Sequence, residues 1–233
     1  MKISRSNYRS DVYCDRDSRN KFIVKELGNY LGRKILGAGG GGERHLAAYL
    51  PKDSEYVEID IAGSPDILIN LEDNMPLPFE KNTFDTIVCT DVLEHLDSFH
   101  EVLDELYRIC SGNIIISLPN SSNIFINYLL QKKSEKNLHK YGKFSKFYGL
   151  PFSKPEDRHK WFFSYTEAHD FFKYYAQANK LNLVESFPIG LKSSSIHGWF
   201  IRRLTHLLFG RPAMLDFWTS TYWCVLNKGK VDE

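Results

Sequence analysis

Apolar and polar positions alternate in blocks along the first half of the chain, and these blocks predict strands and helices in turn. Residues 84–90 are apolar on both faces, as buried parallel strands are. Residues 98–110 carry apolar side chains at helical spacing. Strands are predicted at 34–36, 55–61, 66–70, 84–90 and 113–119, and helices at 18–31 (with Ser18 as N-cap), 43–50 and 98–110. This alternation predicts an α/β fold whose parallel sheet is covered by helices on both faces.

The second half of the chain has a less regular pattern. Residues 166–179 predict a helix, and residues 182–187 and 219–228 predict two further strands. Between these elements lie two stretches without a clear period, 120–165 and 188–217, which we predict to be irregular inserts on the acceptor side of the protein. We therefore predict one domain over residues 1–233, made of an N-terminal cap or helix (1–31), a cofactor-binding half (32–119) and the two inserts.

Composition and charge exclude several classes of function. The chain has 233 residues and a formal net charge of +1, so no general attraction to nucleic acid or to an anionic membrane is expected. Its four cysteines form no Cys-x-x-Cys pair, which argues against a zinc site and a disulfide framework. The N-terminus lacks the apolar stretch of a signal peptide, and no run of about 18 apolar residues predicts a membrane span. We expect a cytoplasmic protein without a metal, and the sequence leaves a homodimer open.

The stretch "KILGAGGGGERHLAAYL" (34–50) is the first candidate ligand site, because glycines between a strand and a helix let the backbone approach a ligand closely. A phosphate-binding P-loop is excluded, since Glu43 and Arg44 replace its Lys and Ser/Thr. A dinucleotide fingerprint fits the spacing of three glycines and the acid Asp60, but a run of glycines satisfies almost any glycine pattern. The third class of ligand is an adenosyl group without phosphate.

The residues downstream of the glycines favour the third class. The stretch "LPFEKNTFDTIVCTDVLEHLDSFHEVLDELYRICSGNIIISLPN" (77–120) resembles the class I S-adenosylmethionine-dependent methyltransferases. The resemblance implies a Rossmann-like sheet of seven strands, mostly parallel, with the last strand inserted antiparallel. It also implies that S-adenosylmethionine is the cofactor.

The resemblance assigns roles to particular residues. Asp60 would accept hydrogen bonds from the ribose hydroxyls, Asn70 and the Leu71 N–H would face the adenine, and residues 90–92 would line the methionine end. The implied cofactor-binding set is Gly37, Gly39, Gly41, Asp60, Ile61, Asn70, Leu71, Thr90, Asp91 and Val92.

Three positions depart from the pattern of the family. Gly37 stands where most members have an acid, Glu43 stands where a last glycine is common, and Asn70 replaces a common Asp. Glu43 is a candidate to supply the missing carboxylate from the following turn.

The acceptor is expected at the carboxyl ends of the strands, where the long segment 119–165 could form a lid. Methyl transfer to an alcohol needs a proton acceptor, and His159 in "DRHKWF" is the first choice, with Asp157 to orient it or to act instead. The alternative is that this stretch is a solvated loop. His95 is predicted to have a packing role, and residues 161–163 are predicted to be core or, less favoured, to line a pocket. Lys, Arg, His and Tyr among aromatic residues suit an anionic or sugar-bearing acceptor, and they would also suit a partner surface. The resemblance to the methyltransferase family implies a small-molecule or glycan-type acceptor, methylated at oxygen or nitrogen.

The sequence leaves two other functions open. The stretch "YRICSGNIIISLPNSSNIFINYLL" also resembles methionine-biosynthesis proteins that accompany a homoserine acyltransferase, so a partner protein with weak or no catalysis is an alternative. The glycine spacing leaves a nicotinamide-dependent oxidoreductase as the other.

Overall fold

The computed structural model describes residue 13 and residues 15–130, 158–190 and 196–229. Its centre is one sheet of seven strands in the order β3-β2-β1-β4-β5-β7-β6. β7 runs antiparallel to both of its neighbours, and the other six strands share one direction. The predicted mostly parallel sheet with an antiparallel last strand is therefore confirmed. The strands are β1 (Lys34–Ala38), β2 (Glu55–Asp60), β3 (Ile67–Leu68), β4 (Phe84–Thr90), β5 (Cys110–Pro119), β6 (Asn182–Ile189) and β7 (Thr221–Asn227).

Helices cover both faces of this sheet. One face packs on the N-terminal helix and the other on the helices that follow β4 and precede β6, so neighbouring strand residues such as Ile35 and Leu36 belong to two different cores. Cys89 lies buried in the second of these cores, as predicted, and burial raises the pKa of its thiol. The helices are α1 (Arg16–Leu27), α2 (Phe99–Ile109), α3 (Ser121–Leu130), α4 (Tyr165–Ala178) and α5 (Ile196–Trp218).

The first helix begins earlier than predicted. Asp15, and not Ser18, is the N-cap of α1, and its side chain accepts a hydrogen bond of 2.8 Å from the Ser18 N–H. Ser18 completes a capping box by accepting a hydrogen bond from the Asp15 N–H at 3.2 Å. Ser18 is thus the third residue of the helix, and the cap residue that sequence reasoning missed is three positions upstream.

The prediction of an α-helix at 43–50 is wrong. The structure has only a 3₁₀ helix, His45–Tyr49, after the glycine loop. Gly42 and Arg44 both have left-handed backbone angles (φ 69° and 52°), and Pro51 follows closely, so too few residues remain to nucleate an α-helix.

The two inserts are more helical than predicted. α3 occupies the start of the first insert, and α5 fills most of the second. Their periodicity was missed because both are apolar without a clear polar face, and because α5 breaks at Gly210 (φ 83°) just before Pro212. Residues 131–157 of the predicted lid lie outside the described residues. Within the described ranges, no helix combines the length and the apolar character needed to cross a membrane.

Candidate functional site

A large cavity of about 620 Å³ lies at the carboxyl ends of β1, β2 and β4. This is where open parallel sheets place their ligands, and the volume lies within the usual range of small-molecule sites. One side, here called the glycine wall, consists of Gly39, Gly41, Asp60 and Asn70. A second side, the histidine wall, presents His95, Arg158 and Lys160 to the cavity, with Glu94 and His159 buried next to His95. The cavity is lined by Arg16, Gly39, Gly41, Asp60, Ile61, Ala62, Ile69, Asn70, Leu71, Glu72, Asp91, Val92, His95, Leu96, Arg158 and Lys160.

The glycines of the loop are required because side chains at these positions would clash with neighbouring parts of the protein. Gly39, Gly41 and Gly42 have φ angles of 72°, 100° and 69°, which side-chain-bearing residues rarely adopt. A Cβ atom at Gly39 would collide with Val92, and one at Gly42 would collide with the backbone of Ala62. The loop is therefore held close to its neighbours without filling the cavity.

Asp60 stands at the end of β2 and closes the glycine loop. Its Oδ2 accepts a hydrogen bond of 2.8 Å from the Gly41 N–H, and its Oδ1 accepts one of 3.1 Å from the Ala62 N–H. A carboxylate has about four lone-pair directions, so these two bonds leave capacity for two hydroxyl donors. Asp60 also lines the cavity, as the predicted ribose contact requires.

Asn70 and Leu71 lie where an adenine is predicted. The Asn70 Oδ1 accepts a hydrogen bond of 3.0 Å from the Glu72 N–H, and its Nδ2 donates one of 2.6 Å to Asp73. These bonds make Asn70 a turn residue that shapes the loop after β3. Both Asn70 and Leu71 line the cavity, and their contacts to a base remain a prediction.

The segment after β4 contributes Asp91 and Val92 to the cavity, with Asp91 in a left-handed conformation (φ 55°). The Asp91 carboxylate is already engaged, because it pairs with Arg19 at 2.5 Å and accepts a hydrogen bond of 2.7 Å from Ser117. Thr90 is buried and lines a separate small cavity.

Gly37 also lines the small cavity, which lies against α1. It does not line the large cavity. Its partner in the register of β2 is Glu58, a fully buried carboxylate. Glu58 accepts hydrogen bonds from the Tyr56 hydroxyl at 2.7 Å and the Arg44 N–H at 3.2 Å. Burial, reinforced by this carboxylate, raises the pKa of Tyr56. The acid beside Gly37 is thus Glu58 on the neighbouring strand, whereas Glu43 pairs with His45 at the surface.

Three ionisable side chains meet in the histidine wall. The Nε2 atoms of His95 and His159 lie 3.6 Å and 4.0 Å from Oε1 of Glu94, and the two imidazole rings pack edge to face at 4.6 Å. Glu94 and His159 are 1% and 3% exposed, whereas His95 lines the cavity. The packing role predicted for His95 is therefore incomplete, and the predicted proton acceptor His159 lies behind it.

Backbone hydrogen bonds bring the two distant segments of this wall together. The Lys160 N–H donates to the Glu94 carbonyl at 2.7 Å, and the His95 Nδ1 lies 3.2 Å from the Arg158 carbonyl. The Lys160 ammonium donates to Asp97 at 2.5 Å, and this bond raises the pKa of the lysine. Lys160 also pairs with Glu72 at 3.3 Å, and both Lys160 and Arg158 line the cavity. The second predicted catalytic residue, Asp157, lies outside the described residues.

A second, mostly apolar cavity of about 200 Å³ lies on the other side of this segment. Trp161, Phe162 and Phe163 all line it, which is the pocket role that the sequence left as the less favoured option. Trp161 is fixed by a 2.6 Å hydrogen bond from its indole N–H to the Leu96 carbonyl, and Leu96 lines the large cavity. The two cavities thus share one dividing segment.

Sequence reasoning missed Arg16 and Glu94. Arg16 lies in the N-terminal cap or helix predicted over 1–31, for which no ligand contact was predicted, yet it packs on Gly41 and lines the cavity. The capping pattern around Asp15 is the signal that could have found it. Glu94 belongs to the motif "VLEH", and the sequence gives no sign that its carboxylate is buried next to His159.

Comparisons with known proteins bear on what the cavity binds. A protein-family model described as a methyltransferase domain matches residues 15–175, which include both walls. None of the curated proteins compared matches the chain.

Solved structures share the fold. A SAM-dependent methyltransferase from Archaeoglobus fulgidus aligns with a TM-score of 0.58 and 14% identity, over 92% of this chain and 95% of that one. A putative S-adenosylmethionine-dependent methyltransferase from Listeria monocytogenes aligns at 0.53 and 14% identity, over 91% and 99%. The small RNA methyltransferase HEN1 aligns at 0.56 and 12% identity, over 97% of this chain but 27% of that one. At these identities the likeness concerns the fold alone, and the predicted Rossmann-like fold is confirmed.

Proposed function

The chain belongs to the methyltransferase domain family, and on this premise we propose that it transfers a methyl group from S-adenosylmethionine to an oxygen or nitrogen atom of a small-molecule or glycan-type acceptor. The observation that supports this most is the glycine wall, where Asp60 faces an open cavity beside a bare backbone loop. A carboxylate beside a bare backbone loop suits the ribose of a bound nucleoside.

The residues present fit the cofactor. The Asp60 carboxylate suits the ribose hydroxyls, and the apolar side chains of Ile69 and Leu71 suit one face of an adenine. The guanidinium of Arg16, which packs on Gly41, suits the carboxylate of the methionine tail. Eight of the ten predicted cofactor residues line this cavity, and they are Gly39, Gly41, Asp60, Ile61, Asn70, Leu71, Asp91 and Val92. The other two, Gly37 and Thr90, line the small cavity on the α1 side.

When bound, S-adenosylmethionine supplies an electrophilic methyl group on a sulfonium leaving group. The chain's own residues must then align the acceptor with that methyl group and take up the acceptor's proton. The histidine wall is the candidate for the second task, since His95 lines the cavity and His159 lies in contact behind it. We keep the participation of His159 as a proposal, with His95 as the group nearer the acceptor.

The side chains at the cavity support an acceptor with an anionic or sugar-like part. Arg158 lines the cavity as a cation, and Lys160 lines it while paired with Glu72 and Asp97. Guanidinium and ammonium groups suit hydrogen bonds to anionic or hydroxyl-rich ligands.

A dinucleotide is less well served by this site. Dinucleotide folds place the pyrophosphate at the N-terminus of an α-helix after the glycine loop. Here the loop leads into a 3₁₀ helix of five residues, which provides no such terminus. A partner protein without catalysis remains the alternative that a binding experiment can exclude.

Calorimetry with S-adenosylmethionine and S-adenosylhomocysteine tests the proposal. Replacing Asp60 with Ala should cost about 1.5–3 kcal/mol of binding free energy, which is a loss of roughly 10- to 150-fold in affinity. Asp53, which is exposed in a turn away from the cavity, provides the matched control Asp53→Ala. Binding of neither nucleoside by the wild-type protein, or equal affinity in both variants, would contradict the site.

Transfer of a labelled methyl group identifies the acceptor. The acceptor arms should be sugars and sugar nucleotides, a small-molecule extract, and total RNA. Label in either of the first two supports the proposed class, and label in RNA alone overturns it.

A further inference from the structure

We propose that the histidine wall binds a divalent cation of the Zn²⁺ type through Glu94, His95 and His159, and that this ion holds and acidifies a hydroxyl group of the acceptor. One ligand atom of each side chain lies within 4.8 Å of the other two. The role of the ion rests on the proposed function, whereas its binding does not. The sequence-based expectation of no metal rested only on the spacing of cysteines, and this cluster joins residues 64 positions apart.

The spacing of the ligand atoms suits a shared ion. The imidazole nitrogens lie 3.6 Å and 4.0 Å from the Glu94 carboxylate oxygen. Ligands about 2.0–2.2 Å from one tetrahedral Zn²⁺ lie roughly 3.3–3.6 Å from each other. A contraction of a few tenths of an ångström therefore brings each imidazole nitrogen to the separation from the carboxylate oxygen that a shared ion requires, and all three ligand atoms already lie within 4.8 Å of one another.

A backbone hydrogen bond orients His95 for this role. Its Nδ1 lies 3.2 Å from the Arg158 carbonyl oxygen, so Nδ1 is the donor of this hydrogen bond and Nε2 is the nitrogen on the side of Glu94. Metal-binding histidines are usually fixed in this way, by donating the other ring N–H to a carbonyl or carboxylate. The Lys160 N–H bond to the Glu94 carbonyl holds the adjacent residue, His159, in place as well.

Burial adds a thermodynamic reason. Glu94 is 1% exposed and His159 is 3% exposed, so a carboxylate and an imidazole are withdrawn from water side by side. Buried carboxylates are paired with cations or coordinate metals, because an ion loses its hydration free energy on burial. A divalent ion bound to Glu94 and two neutral imidazoles compensates that charge.

The ligand set selects the kind of ion. Two imidazoles and one carboxylate form the set of many catalytic zinc sites, which keep one coordination position open. Mg²⁺ prefers oxygen ligands and is disfavoured here. His95 lines the large cavity, so an ion between these three side chains lies at the cavity wall.

A cation bound here changes the role of the two histidines from proton acceptors to metal ligands. The imidazoles serve as ligands, and the acceptor hydroxyl that occupies the open position loses its proton to water more easily. The oxygen then forms its bond to the methyl carbon as the methyl–sulfur bond breaks, and the electron pair of that bond stays on sulfur. With an ion in this position, we expect the acceptor to be methylated at a hydroxyl oxygen.

Metal binding is tested directly on protein freed of metal with a chelator. Titration with Co²⁺, followed by visible absorption, should show one ion per chain, which Zn²⁺ displaces. Glu94→Gln should lose at least about 100-fold in Co²⁺ affinity, since even outer-shell changes cost 10- to 100-fold. His95→Ala is the second variant, because His95 is only partly buried and its truncation is expected to leave the fold intact.

The exposed Glu43–His45 pair, with 2.7 Å between its polar atoms, provides the matched control. Glu43→Gln and His45→Ala should keep the wild-type stoichiometry and affinity. The absence of a 1:1 Co²⁺ complex in the wild-type protein, or equal affinity in Glu94→Gln and His95→Ala, would overturn the site.

The role of the ion is tested separately from its binding. Chelated wild-type protein should still bind S-adenosylhomocysteine and should recover methyl transfer on addition of Zn²⁺ or Co²⁺. Full activity without metal would overturn the role. Failure to bind the nucleoside while Co²⁺ binds would refute the proposed function and leave the metal site standing.

Discussion

The two walls of the large cavity differ in the groups that form them, which are mainly backbone in one and side chains in the other. The glycine wall is mainly backbone, with one carboxylate, Asp60, that ties the loop together through hydrogen bonds from Gly41 and Ala62. The histidine wall consists of side chains, with Glu94 and His159 almost fully buried. A backbone wall selects a ligand by shape and close approach, whereas a wall of titratable groups performs chemistry. Changes in the first should therefore alter cofactor affinity, and changes in the second should alter turnover.

The largest effect is expected in the histidine wall. His159→Ala should lower turnover by about 10²–10⁴-fold while leaving the affinity for S-adenosylhomocysteine unchanged, because His159 does not line the cavity. Steady-state kinetics and calorimetry on the same protein separate the two quantities. His206→Ala, an exposed change on α5, is the control. Full activity of His159→Ala would remove this residue from the mechanism.

A smaller effect is expected from the glycine wall, on stability. Gly42→Ala should lower the free energy of unfolding by about 2–5 kcal/mol, which combines about 1–2 for the left-handed backbone and about 1–3 for overpacking. The new methyl group would meet the backbone of Ala62, which cannot move aside. At Gly41 it would meet only the flexible end of Arg16, so Gly41→Ala should cost about 1–2 kcal/mol.

Urea denaturation of both alanine variants measures this difference. Equal stabilities of Gly41→Ala and Gly42→Ala would show that the contact between the glycine loop and Ala62 does not constrain the wall.

The smallest effect is expected from Arg16, which connects α1 to the glycine wall. Arg16→Gln should lower the affinity for S-adenosylhomocysteine by up to about fivefold, since an exposed ion pair contributes about 0.2–1 kcal/mol. The affinity for methylthioadenosine, which lacks the amino-acid tail, should not change. Arg33→Gln, which breaks an exposed pair with Glu55, is the control. An equal loss for both nucleosides would place Arg16 elsewhere on the ligand.

The glycine wall could be largely predicted from the sequence because its parts follow one another along the chain. The strand 84–90 was predicted with the bounds that the structure shows, and Asp60 was placed at the end of its strand. Gly37 and Thr90 were expected at the cofactor, but they line the small cavity on the α1 side. Strand residues alternate between the two faces of a sheet, and a motif does not reveal which face holds the ligand.

The histidine wall could be predicted only in part. His159 was singled out for its chemistry, but the sequence offers no sign that it packs on Glu94 and His95. That contact is accompanied by one backbone hydrogen bond, from Lys160 to Glu94, and by one from the His95 ring to the Arg158 carbonyl, between segments that are remote in sequence. In the same way, the acid missing at position 37 was sought in Glu43, whereas strand pairing brings Glu58 there.

The sequence by itself determined the seven strands along the chain, the three helices α1, α2 and α4, the family, and a bare loop with an acid one strand later. These features follow from local periodicity and from motifs of neighbouring residues, which act over a few positions of chain. Only the tertiary structure decided which side of the sheet each residue serves, that Arg16 reaches the loop, and that Glu94, His95 and His159 form one cluster. Their meeting depends on the packing of distant segments, since burial and charge compensation are properties of the folded interior and not of any short stretch of sequence.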